Sequence, residues 1–598
     1  MIQAPMTHKD IKSLITENLD IWTSAIKAKS RTGRGANKTY ELYGIKKLRE
    51  LILDLAVRGL LVTQDSNDEP ASELVKKIAA EKEQLIKEGK IKKQKALPPI
   101  KEDQKPFELP MSWELIRLGN IGDWGSGSTP KRGNPEYYGG DIPWFKSGEL
   151  ISDYISETEE KVTYKALSEC SLRLNKPGDV LIAMYGATIG KTSILEVEGT
   201  TNQAVCACTV FKGTMNNYLL LVLKAFRKRF INMGAGGAQP NISKIKIINT
   251  VIALPPLKEQ KHIVAKVDEL MALCDQLEQQ TDTSIKAHKL LVENLLNALT
   301  QAKDHKTFQQ AWHRIANHFD TLFTTEHSID QLKQTILQLA VMGKLVPQNP
   351  NDEPASELLK KIAAEKEKLI KEGKIKKQKP LPEISEEEKP FELPVGWEWV
   401  RVGQFSILKG GYAFKSKEFV DESEYQVIRI GNIRPDFLRI NKNAVYISSD
   451  YAENTKEYEI LENDILLTMT GTKGKRDYLY SLIIDNTDLE NRKLYVNQRL
   501  CIVRTLIINE YYINMVMKDN RMLDSIYAKS TGTANQANIG MDAISNWIIP
   551  LPTLDEQFRI IIKTEELMRI CDLIKCKIIT SKKSQIKIAE TLSLVNHE

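Results

Sequence analysis

The sequence predicts a multidomain α+β protein, in which two mixed α/β domains are separated by a pair of long antiparallel coiled-coil helices with a pseudo-two-fold internal repeat. Three observations support this prediction. A framework segment occurs twice, and a divergent insert follows each copy. The second repeat looks circularly permuted, with its last part at the start of the chain. At 598 residues the chain is also too long for one hydrophobic core.

The framework repeat is the strongest internal signal. Residues 48–119 align with 332–403 without a gap, and 51 of the 72 positions are identical. Each copy contains a charged stretch, 70–88 or 354–372, that opens with a proline suited to a first helical position and ends before a glycine. We expect a short helix in each, followed by an exposed linker rich in lysine and proline.

Each framework copy leads into an insert of different sequence. Residues 111–256 and 395–553 contain short β-rich runs and glycine-marked turns, and 217–233 predicts a helix. Only isolated motifs match between the inserts, such as the Asn-Gln pairs at 202–203 and 497–498. We therefore expect two separate domains, each with its own core.

A long helix is predicted after each insert. Apolar or small residues recur there every three or four positions, which is coiled-coil-like spacing, and two such helices can bury their stripes against each other. In 257–300 the stripe consists of Ile263, Val267, Leu270, Cys274, Leu277, Ile285, Leu291, Leu295 and Leu299. In 554–596 it consists of Phe558, Ile561, Met568, Cys571, Ile574, Ile578, Ile588 and Leu592.

The continuation of the second long helix is found at the N-terminus, so the chain ends are expected to lie near each other. The predicted domains are 1–63, a helical segment completing the permuted second repeat; 64–110 and 348–394, the two copies of the charged helix and linker; 111–256 and 395–553, the two inserts; 257–347, the central helical spacer; and 554–598, the C-terminal helix.

Composition sets limits on function. The net charge is only +6, with 16 basic and 13 acidic residues in 113–254 and 19 and 20 in 397–550, so a nucleic-acid ligand would require basic residues gathered on one face. The sequence shows neither a membrane span nor a signal peptide, and a cytoplasmic location is expected. The seven cysteines lack zinc-ligand spacing and are expected to be reduced.

No catalytic signature emerges. The run GATIGKT at 186–192 has three residues between its glycines, whereas a phosphate-binding loop needs four, so a glycine-rich turn is the better interpretation. The NPEY run at 134–137 lacks the second proline of the amino-methyltransferase motif. The histidines form no metal-ligand pattern. We predict no catalytic residues and no metal site.

The ordered set of motifs resembles the specificity subunits of type I restriction–modification enzymes, over nearly the whole chain. The PxLxEQ-type entries to the long helices at 255–260 and 552–557, the LxPGDVLI-like strand at 174–182 and the run ILQLAVMGKLV carry the resemblance. The doubled NDEPASELLKKIAAEKEKL block is similar to the group in which both halves contain it. The corresponding strand of the second insert differs from this motif, because Glu462-Asn463-Asp464 stands in place of Pro-Gly-Asp.

This resemblance implies a division of labour. Each insert would be a target-recognition domain that reads one half of a bipartite site in double-stranded DNA. The helices would set the spacing and bind two methyltransferase subunits, with restriction and translocase subunits joining outside. The chain itself would bind no cofactor, and S-adenosylmethionine, ATP and magnesium would belong to the partner subunits. No membrane association is expected.

Polar and basic residues in glycine-rich loops are the candidates for DNA contact, since arginine and lysine suit guanine edges and phosphates while glutamine and asparagine suit adenine. In the first domain they are Ser126, Ser128, Lys131, Arg132, Lys146, Tyr185, Thr188, Lys191, Gln203, Gln239 and Asn241. In the second they are Lys409, Tyr412, Lys415, Arg429, Asn432, Arg434, Thr472, Lys473, Arg476, Gln498, Gln536 and Asn538.

Two rival interpretations stay open at this point. The chain could be a scaffold that joins proteins without reading DNA, or a methyltransferase or nuclease fusion with unrecognised motifs. Tight binding of S-adenosylmethionine or ATP by the purified chain would favour the enzyme. A methylated sequence that does not change when an insert is exchanged would favour the scaffold. Gln203 and Gln498 could also satisfy backbone groups, and Arg227, Lys228 and Arg229 could be a solvated helix face or a phosphate contact.

Overall fold

The computed structural model describes residues 13–28, 40–105, 107–234, 240–435, 437–532 and 535–594. The chain divides into two compact units, one formed by Met1–Ile285 with Ser581–Glu598 and the other by Lys286–Thr580. The C-terminal end of the chain thus groups with the N-terminal unit, as a circularly cut repeat requires. Within the described ranges, no helix combines the length and apolar character that a membrane crossing needs.

Unit 1 is a mixed α/β body joined to a helical framework. Its helices are α1 (Leu19–Ser24), α2 (Tyr43–Val57), α3 (Ala71–Lys87), α4 (Tyr164–Glu169), α5 (Asn216–Ala225), α6 (Arg227–Gly234), α7 (Lys244–Ile248) and the first part of α8 (Leu257–Gln301). Its strands are β1 (Lys27–Ala28), β2 (Tyr40–Glu41), β3 (Glu114–Arg117), β4 (Gly122–Ser126), β5 (Tyr138–Phe145), β6 (Tyr154–Ile155), β7 (Lys161–Val162), β8 (Val180–Ala183), β9 (Thr192–Leu195), β10 (Thr200–Thr201), β11 (Val205–Val210) and β12 (Val251–Leu254).

Unit 2 repeats this plan. Its helices are the last part of α8, then α9 (His305–Asn317), α10 (Phe319–Leu322), α11 (Glu326–Val341), α12 (Ala355–Lys371), α13 (Val402–Phe405), α14 (Ser449–Asn454), α15 (Glu510–Val516), α16 (Asn520–Tyr527), α17 (Met541–Ser545) and the first part of α18 (Leu554–Ser593). Its strands are β13 (Glu398–Arg401), β14 (Ser406–Gly410), β15 (Phe419–Val420), β16 (Tyr425–Ile428), β17 (Ile433–Arg434), β18 (Phe437–Leu438), β19 (Tyr446–Ile447), β20 (Glu459–Ile460), β21 (Ile465–Thr468), β22 (Thr470–Thr472), β23 (Ser481–Ile483), β24 (Lys493–Val496), β25 (Leu500–Thr505), β26 (Gln536–Asn538) and β27 (Ile548–Leu551).

The central sheets of the two units share one strand order. In unit 1 the order is β4-β11-β8-β9-β6, and in unit 2 it is β14-β25-β21-β23. The first three strands of each sheet are antiparallel neighbours. A second small sheet follows in each unit, in which β10 runs parallel to β5 and β24 runs parallel to β16. The inserts therefore share a fold despite their divergent sequences.

The turn into the central strand explains how the second copy tolerates its altered motif. Gly178 has a φ of +92°, a left-handed conformation that favours glycine, and Asn463 adopts +67° at the matching position. Asparagine is among the side chains that tolerate this region best. In both copies the next residue, Asp179 or Asp464, accepts a hydrogen bond from a backbone N–H three residues earlier. The turn is thus retained without the glycine.

The duplicated charged helices are α3 and α12, with bounds close to those predicted. Each opening proline is the N-cap in extended conformation, one position earlier than the first helical position that the sequence suggested. The following glycines, Gly89 and Gly373, have φ values of +70° and +71° and lie where each helix stops. The linkers beyond are mostly exposed, as expected.

A buried arginine fastens each linker to its insert. Arg117 donates to the carbonyl oxygens of Pro98, Pro99 and Asn249. Arg401, which is 2% exposed, donates in the same way to Pro382, Glu383 and Asn546. Because these acceptors come from both sides of the insert, one side chain closes the insert at its base.

In unit 1 the start of α8 and the end of α18 share the hydrophobic core. Ile263, Val267 and Cys274 of α8 and Ala589 of α18 are buried there together. The N-terminal segment completes the packing, since the Tyr43 hydroxyl donates to Glu590 at 2.6 Å. In unit 2 the order is reversed, and the last part of α8 shares a core with the first part of α18.

The predicted stripes needed partial correction. Leu291 is 51% exposed, and Val292 and Leu296 are buried instead, so the stripe lies one residue later there before it returns to the predicted Leu299. Phe558 and Ile588 are also exposed, at 49% and 43%. In α8 the physical reason is that adjacent apolar residues at 291–292 and 295–296 allow two registers, and packing against α18 selects the second.

The glutamine of each PxLxEQ-type entry is buried and joins insert to helix. The Gln260 Oε1 accepts from Met215 N at 2.9 Å, and its Nε2 donates to the Gly213 and Pro255 carbonyls at 3.1 Å. The Gln557 Oε1 accepts from Asn509 N at 3.1 Å, and its Nε2 donates to Pro552 O at 3.2 Å. Each glutamine therefore satisfies backbone groups that would otherwise be buried without partners.

Replacing Gln260 with alanine should lower the free energy of unfolding of unit 1 by about 2–3 kcal/mol, because buried backbone groups lose their partners. Chemical unfolding of the full chain, followed by tryptophan fluorescence, measures the change. Gln279→Ala removes an exposed glutamine from the same helix and is the matched control. Equal stability of the two variants would contradict the role given to Gln260.

The glutamate before each glutamine differs between the units. Glu556 accepts hydrogen bonds from Trp397 Nε1 at 2.8 Å and from Gln348 Nε2 at 2.6 Å. At the equivalent site, Glu259 Oε1 and Trp113 Nε1 have no hydrogen-bond partner among the described residues. Burial raises the pKa of Glu259 to about 7, the nearby Trp113 indole N–H partly opposes this rise although its geometry falls short of a hydrogen bond, and the charge of Asp68 adds to the rise.

Stability of unit 1 should therefore depend on pH. Because the folded-state pKa of Glu259 lies above its ordinary value of 4.5, the folded chain holds the proton more tightly, and stability should fall as pH rises from about 4.5 to about 7. Glu259→Gln should abolish this fall and raise the free energy of unfolding above pH 7 by about 2 kcal/mol. Unfolding midpoints across this pH range provide the measurement.

The comparison is Glu556→Gln, which should stabilise less than Glu259→Gln above pH 7, because burial also raises the pKa of Glu556 but the hydrogen bonds from Trp397 and Gln348 oppose that rise. Trp397 and Gln348 both donate to the Glu556 carboxylate, and an amide can accept only one of these bonds while turning an N–H toward the other donor. Equal responses of the two glutamine variants would contradict the difference described here.

Candidate nucleic-acid interface

Several predicted residues of unit 1 meet at one end of the central sheet. Ser126, the last residue of β4, pairs with Cys206, and Ala183, the last residue of β8, pairs with Val205. The loops after β4 and β8 and the loop before β11 therefore open at the same sheet end. Backbone hydrogen bonds from Gly127 N to Val205 O and from Ser128 N to Thr201 O hold the loop after β4 across this end of the sheet.

The segment after residue 239 joins this sheet end. Tyr185 and Asn241 form an antiparallel β-bridge, and Gly186 N donates to Pro240 O at 2.8 Å. Thr188 lies in the short helical turn Gly186–Thr188, where its hydroxyl donates to Tyr185 O at 2.7 Å. This confirms the prediction of a turn after a strand for 186–192. Gln239 lies outside the described residues.

The shared Asn-Gln pair has one structural and one exposed member. Asn202 shapes the turn into β11, because its backbone and side-chain oxygens accept from Val205 N and Ala204 N. Asn497 likewise accepts from Leu500 N in unit 2. Gln203 and Gln498 are both exposed at these turns. The asparagines hold the loop while the glutamines face solvent.

Arg132 and Lys146 meet at a shared carboxylate. Glu160 accepts from Arg132 Nη1 at 2.6 Å and from Lys146 Nζ at 3.0 Å, and the Arg132 hydrogen bond and then that of Lys146 lower the pKa of Glu160. The Arg132 guanidinium also lies 5.0 Å from the Trp144 ring centroid, and Trp144 Nε1 donates to Ser128 O. Both cations are thus held beside the loop after β4, with Lys131 exposed next to them.

Unit 2 gathers its residues at the matching sheet end. Tyr412 forms a bridge with Asn497, and β22 pairs with β26, which places Thr472 opposite Gln536. A cleft at this end is lined by Thr470, Gln498, Arg499, Gly532, Gln536 and Asn538. Arg499 is exposed and was not among the predicted residues, although its position beside the Asn-Gln pair could have indicated it.

The glycine-rich turn of unit 2 presents exposed cations. Asp477 accepts from the backbone N and the hydroxyl of Thr472 at 2.7 and 2.6 Å, and these bonds lower the pKa of Asp477. Lys473, Lys475 and Arg476 are exposed on the turn. Arg476 forms an ion pair with Asp524, whereas no ion pair of Lys473 is found within the described part of unit 2.

The remaining predicted residues of unit 2 differ in whether their side chains are bound within the domain. Asn432 is buried, accepting from Arg429 N and donating to the Arg439 and Lys442 carbonyls, which gives it a role in shaping its loop. The Arg429 and Arg434 guanidinium groups donate to the Asn443 and Ile433 carbonyls respectively. Lys409 is ion-paired with Glu457, and the side chain of Lys415 is exposed.

The described residues contain no group of three or more His, Cys, Asp or Glu side chains placed to hold a metal ion. Burial raises the pKa of the Cys206 thiol to about 12, and that of Cys501 likewise, so these thiols stay protonated. What converges in each unit is a set of amides, hydroxyls and cations on loops, the chemistry that contacts base edges and phosphates.

Comparison with known proteins gives one consistent result. The family model described as the type I restriction modification DNA specificity domain matches residues 110–287 and 394–581. The EcoAI specificity subunit of Escherichia coli is 41% identical over 596 residues, covering 98% of this chain and 99% of that protein. The EcoEI specificity subunit of the same species is 38% identical over 609 residues, with 98% and 99% covered.

Among solved structures, the HsdS subunit of Thermoanaerobacter tengcongensis aligns over 82% of this chain and 97% of its own length, with 16% identity and a TM-score of 0.42. The two matched domains fall on the two inserts and the beginnings of the long helices that follow them. The chain therefore belongs to the family of type I restriction enzyme DNA specificity subunits.

Proposed function

We propose that each unit reads one half of a bipartite site in double-stranded DNA through the loops at one end of its central sheet. The main support for this proposal is that two inserts of unrelated loop sequence place amides, hydroxyls and cations at the same end of the central sheet. A constant frame with variable loops suits a protein whose two ligands differ while its assembly does not. Among exposed residues, Gln203, Asn241, Gln498, Gln536 and Asn538 are the proposed readers of base edges.

The same proposal assigns chemistry to partner subunits. The chain would be the non-catalytic subunit of a complex, docking two methyltransferase subunits on its long helices, with restriction and translocase subunits outside. Exposed apolar residues of α18 in unit 2, Phe558, Ile562 and Leu573, support such docking. S-adenosylmethionine, ATP and magnesium would act on those partners, and this chain would hold no cofactor of its own.

A helical spacer would convert two modest half-site affinities into one specific interaction. Once one half-site is bound, the other is presented at a high effective concentration. A fixed helix length also selects one half-site separation, in the way that dimer geometry does for two-fold DNA-binding proteins. The scaffold alternative lacks an explanation for loops that diverge at a shared sheet end.

The decisive experiment exchanges residues 113–254 for the corresponding insert of a relative with a different methylation site. Only one half of the methylated sequence should change, because the frame and the second insert stay the same. Single-molecule sequencing of genomic DNA from cells that express the complex gives the readout. Exchange of residues 397–550 is the matched control and should change the other half. A methylated sequence that stays the same after both exchanges would support a scaffold.

Replacing Lys473 and Arg476 with alanine should weaken DNA binding by the assembled complex and reduce its salt dependence. Each lost phosphate contact lowers the slope of log affinity against log salt by about 0.9. The effect of Arg476 should be smaller than that of Lys473, since Asp524 already neutralises its charge. Fluorescence anisotropy over a salt series measures both quantities.

The control for this pair is Lys360→Ala with Lys361→Ala, which removes two exposed lysines from α12. Affinity and slope should then stay at the wild-type values. If the loop variants also keep these values, Lys473 and Arg476 do not contact DNA.

A further inference from the structure

A basic cleft in unit 1 lies beside the proposed reading loops, and among its lining residues only Lys191 was a predicted DNA contact, while Arg227, Lys228 and Arg229 were left open between a solvated face and a phosphate contact. Its walls are formed by the framework helix α2, the loop at 150–153, the loop at 190–192 and helices α5 and α6. Eight of its lining residues are cations, Lys46, Lys47, Arg49, Lys191, Lys224, Arg227, Lys228 and Arg229, and three are acids, Glu50, Asp54 and Asp153.

The three acids of the cleft are already neutralised. Glu50 pairs with Lys47 at 2.6 Å, Asp54 pairs with Arg58 at 2.9 Å, and Asp153 pairs with Lys224. Two further cations have partners elsewhere in unit 1, Lys46 with Glu41 and Arg49 with Asp275. The excess charge is therefore confined to one wall.

Four cations form that wall. Within the described ranges of unit 1, Lys191, Arg227, Lys228 and Arg229 form no ion pair with a carboxylate, and the three residues of α6 are exposed. The sequence predicted one helix over 217–233, but the structure ends α5 at Ala225 and starts α6 at Arg227. The break is a single residue, Phe226, and the basic residues begin directly after it.

The wall adjoins the proposed reading loop directly. The Arg227 side chain packs against Gly190, which has a φ of +74° and no space for a Cβ atom. Lys191 is the next residue, and its carbonyl accepts from Ala183 N at the end of β8. The first residue of α6 is thus in contact with the loop that carries Tyr185 and Thr188.

In the equivalent helix of unit 2, α16, the polar and charged residues bond to other parts of the same unit. In α16, Arg521 donates to Gln338 O at 3.0 Å, and Asn520 donates to Gln334 Oε1 at 3.0 Å, both on α11. Asp524 of the same helix pairs with Arg476. Helix α6 therefore carries three exposed cations without an ion pair in the described part of unit 1, whereas Arg521, the one cation of α16, pairs with Asp519.

We infer that Lys191, Arg227, Lys228 and Arg229 form a binding site for the phosphate backbone of duplex DNA beside the first half-site. The inference rests on the proposed function, because the duplex that the loops read would bring its backbone across the adjoining wall. Unpaired cations next to base-reading loops provide affinity and register without sequence preference. Ile151, Ile231 and Leu594 are exposed at the cleft, but three such side chains are too few for a stable apolar protein interface.

The test compares assembled complexes that contain the wild-type chain or the variant R227Q/K228Q/R229Q in binding to a fluorescein-labelled duplex of mixed sequence over a salt series. We expect the salt slope to fall by roughly two to three and affinity at about 0.1 M salt to fall at least about ten-fold. The matched control K303Q/K306Q/R314Q removes the same charge from exposed positions on and before α9 and should change neither quantity. R227K/R229K keeps the charge and should retain binding.

The outcomes separate this inference from the proposed function. A wild-type complex that binds no duplex would overturn the proposed function itself. A wild-type complex that binds, with a triple variant of unchanged slope and affinity, would overturn only the phosphate site. Loss of co-purification with the modification subunit, at unchanged DNA affinity, would assign the wall to a protein partner and would also overturn it. Equal thermal unfolding midpoints confirm that the variants are folded.

Discussion

One buried glutamine at the start of each long helix joins the insert to the frame, and the rest of each unit depends on it. Gln260 bonds the backbone on both sides of the Gly213–Met215 turn and the proline that opens α8. Gln557 makes the same connection to Asn509 and Pro552. Because a polar group buried without a partner is costly, the orientation of the helix relative to its own insert is tightly specified. Loops at the far end of the sheet can then vary without disturbing this junction.

Much of this architecture could be predicted from the sequence, because the repeat and the entries to the long helices depend on local patterns. The central strands and the charged helices lie where composition and capping residues placed them. The stripe of α8 was displaced by one residue at Leu291, since neighbouring leucines at 290, 291, 295 and 296 offer two registers and tertiary packing chooses between them. The sequence could not settle which register is buried.

The candidate site was only partly predictable, for a different reason. The amino-acid type of a loop residue does not show whether its side chain forms hydrogen bonds within the loop or faces solvent. Asn432 and Gln498 looked equivalent as amides, yet one is buried in bonds to its own loop and the other is exposed. The carboxylate partners of Arg132 and Lys409 were equally hidden, since Glu160 and Glu457 are distant in sequence. Such pairs hold a cation in place and also lower its net attraction for a phosphate.

The arginine that closes each insert has a consequence for how such proteins diversify. Arg117 and Arg401 donate to backbone carbonyls of the linker and of the segment that leaves the insert, and carbonyls are present whatever the side chains are. The Gln104 and Glu388 side chains of the linkers complete these contacts. A foreign insert that contains its own arginine would therefore meet the same acceptors wherever the linker of the recipient chain is retained.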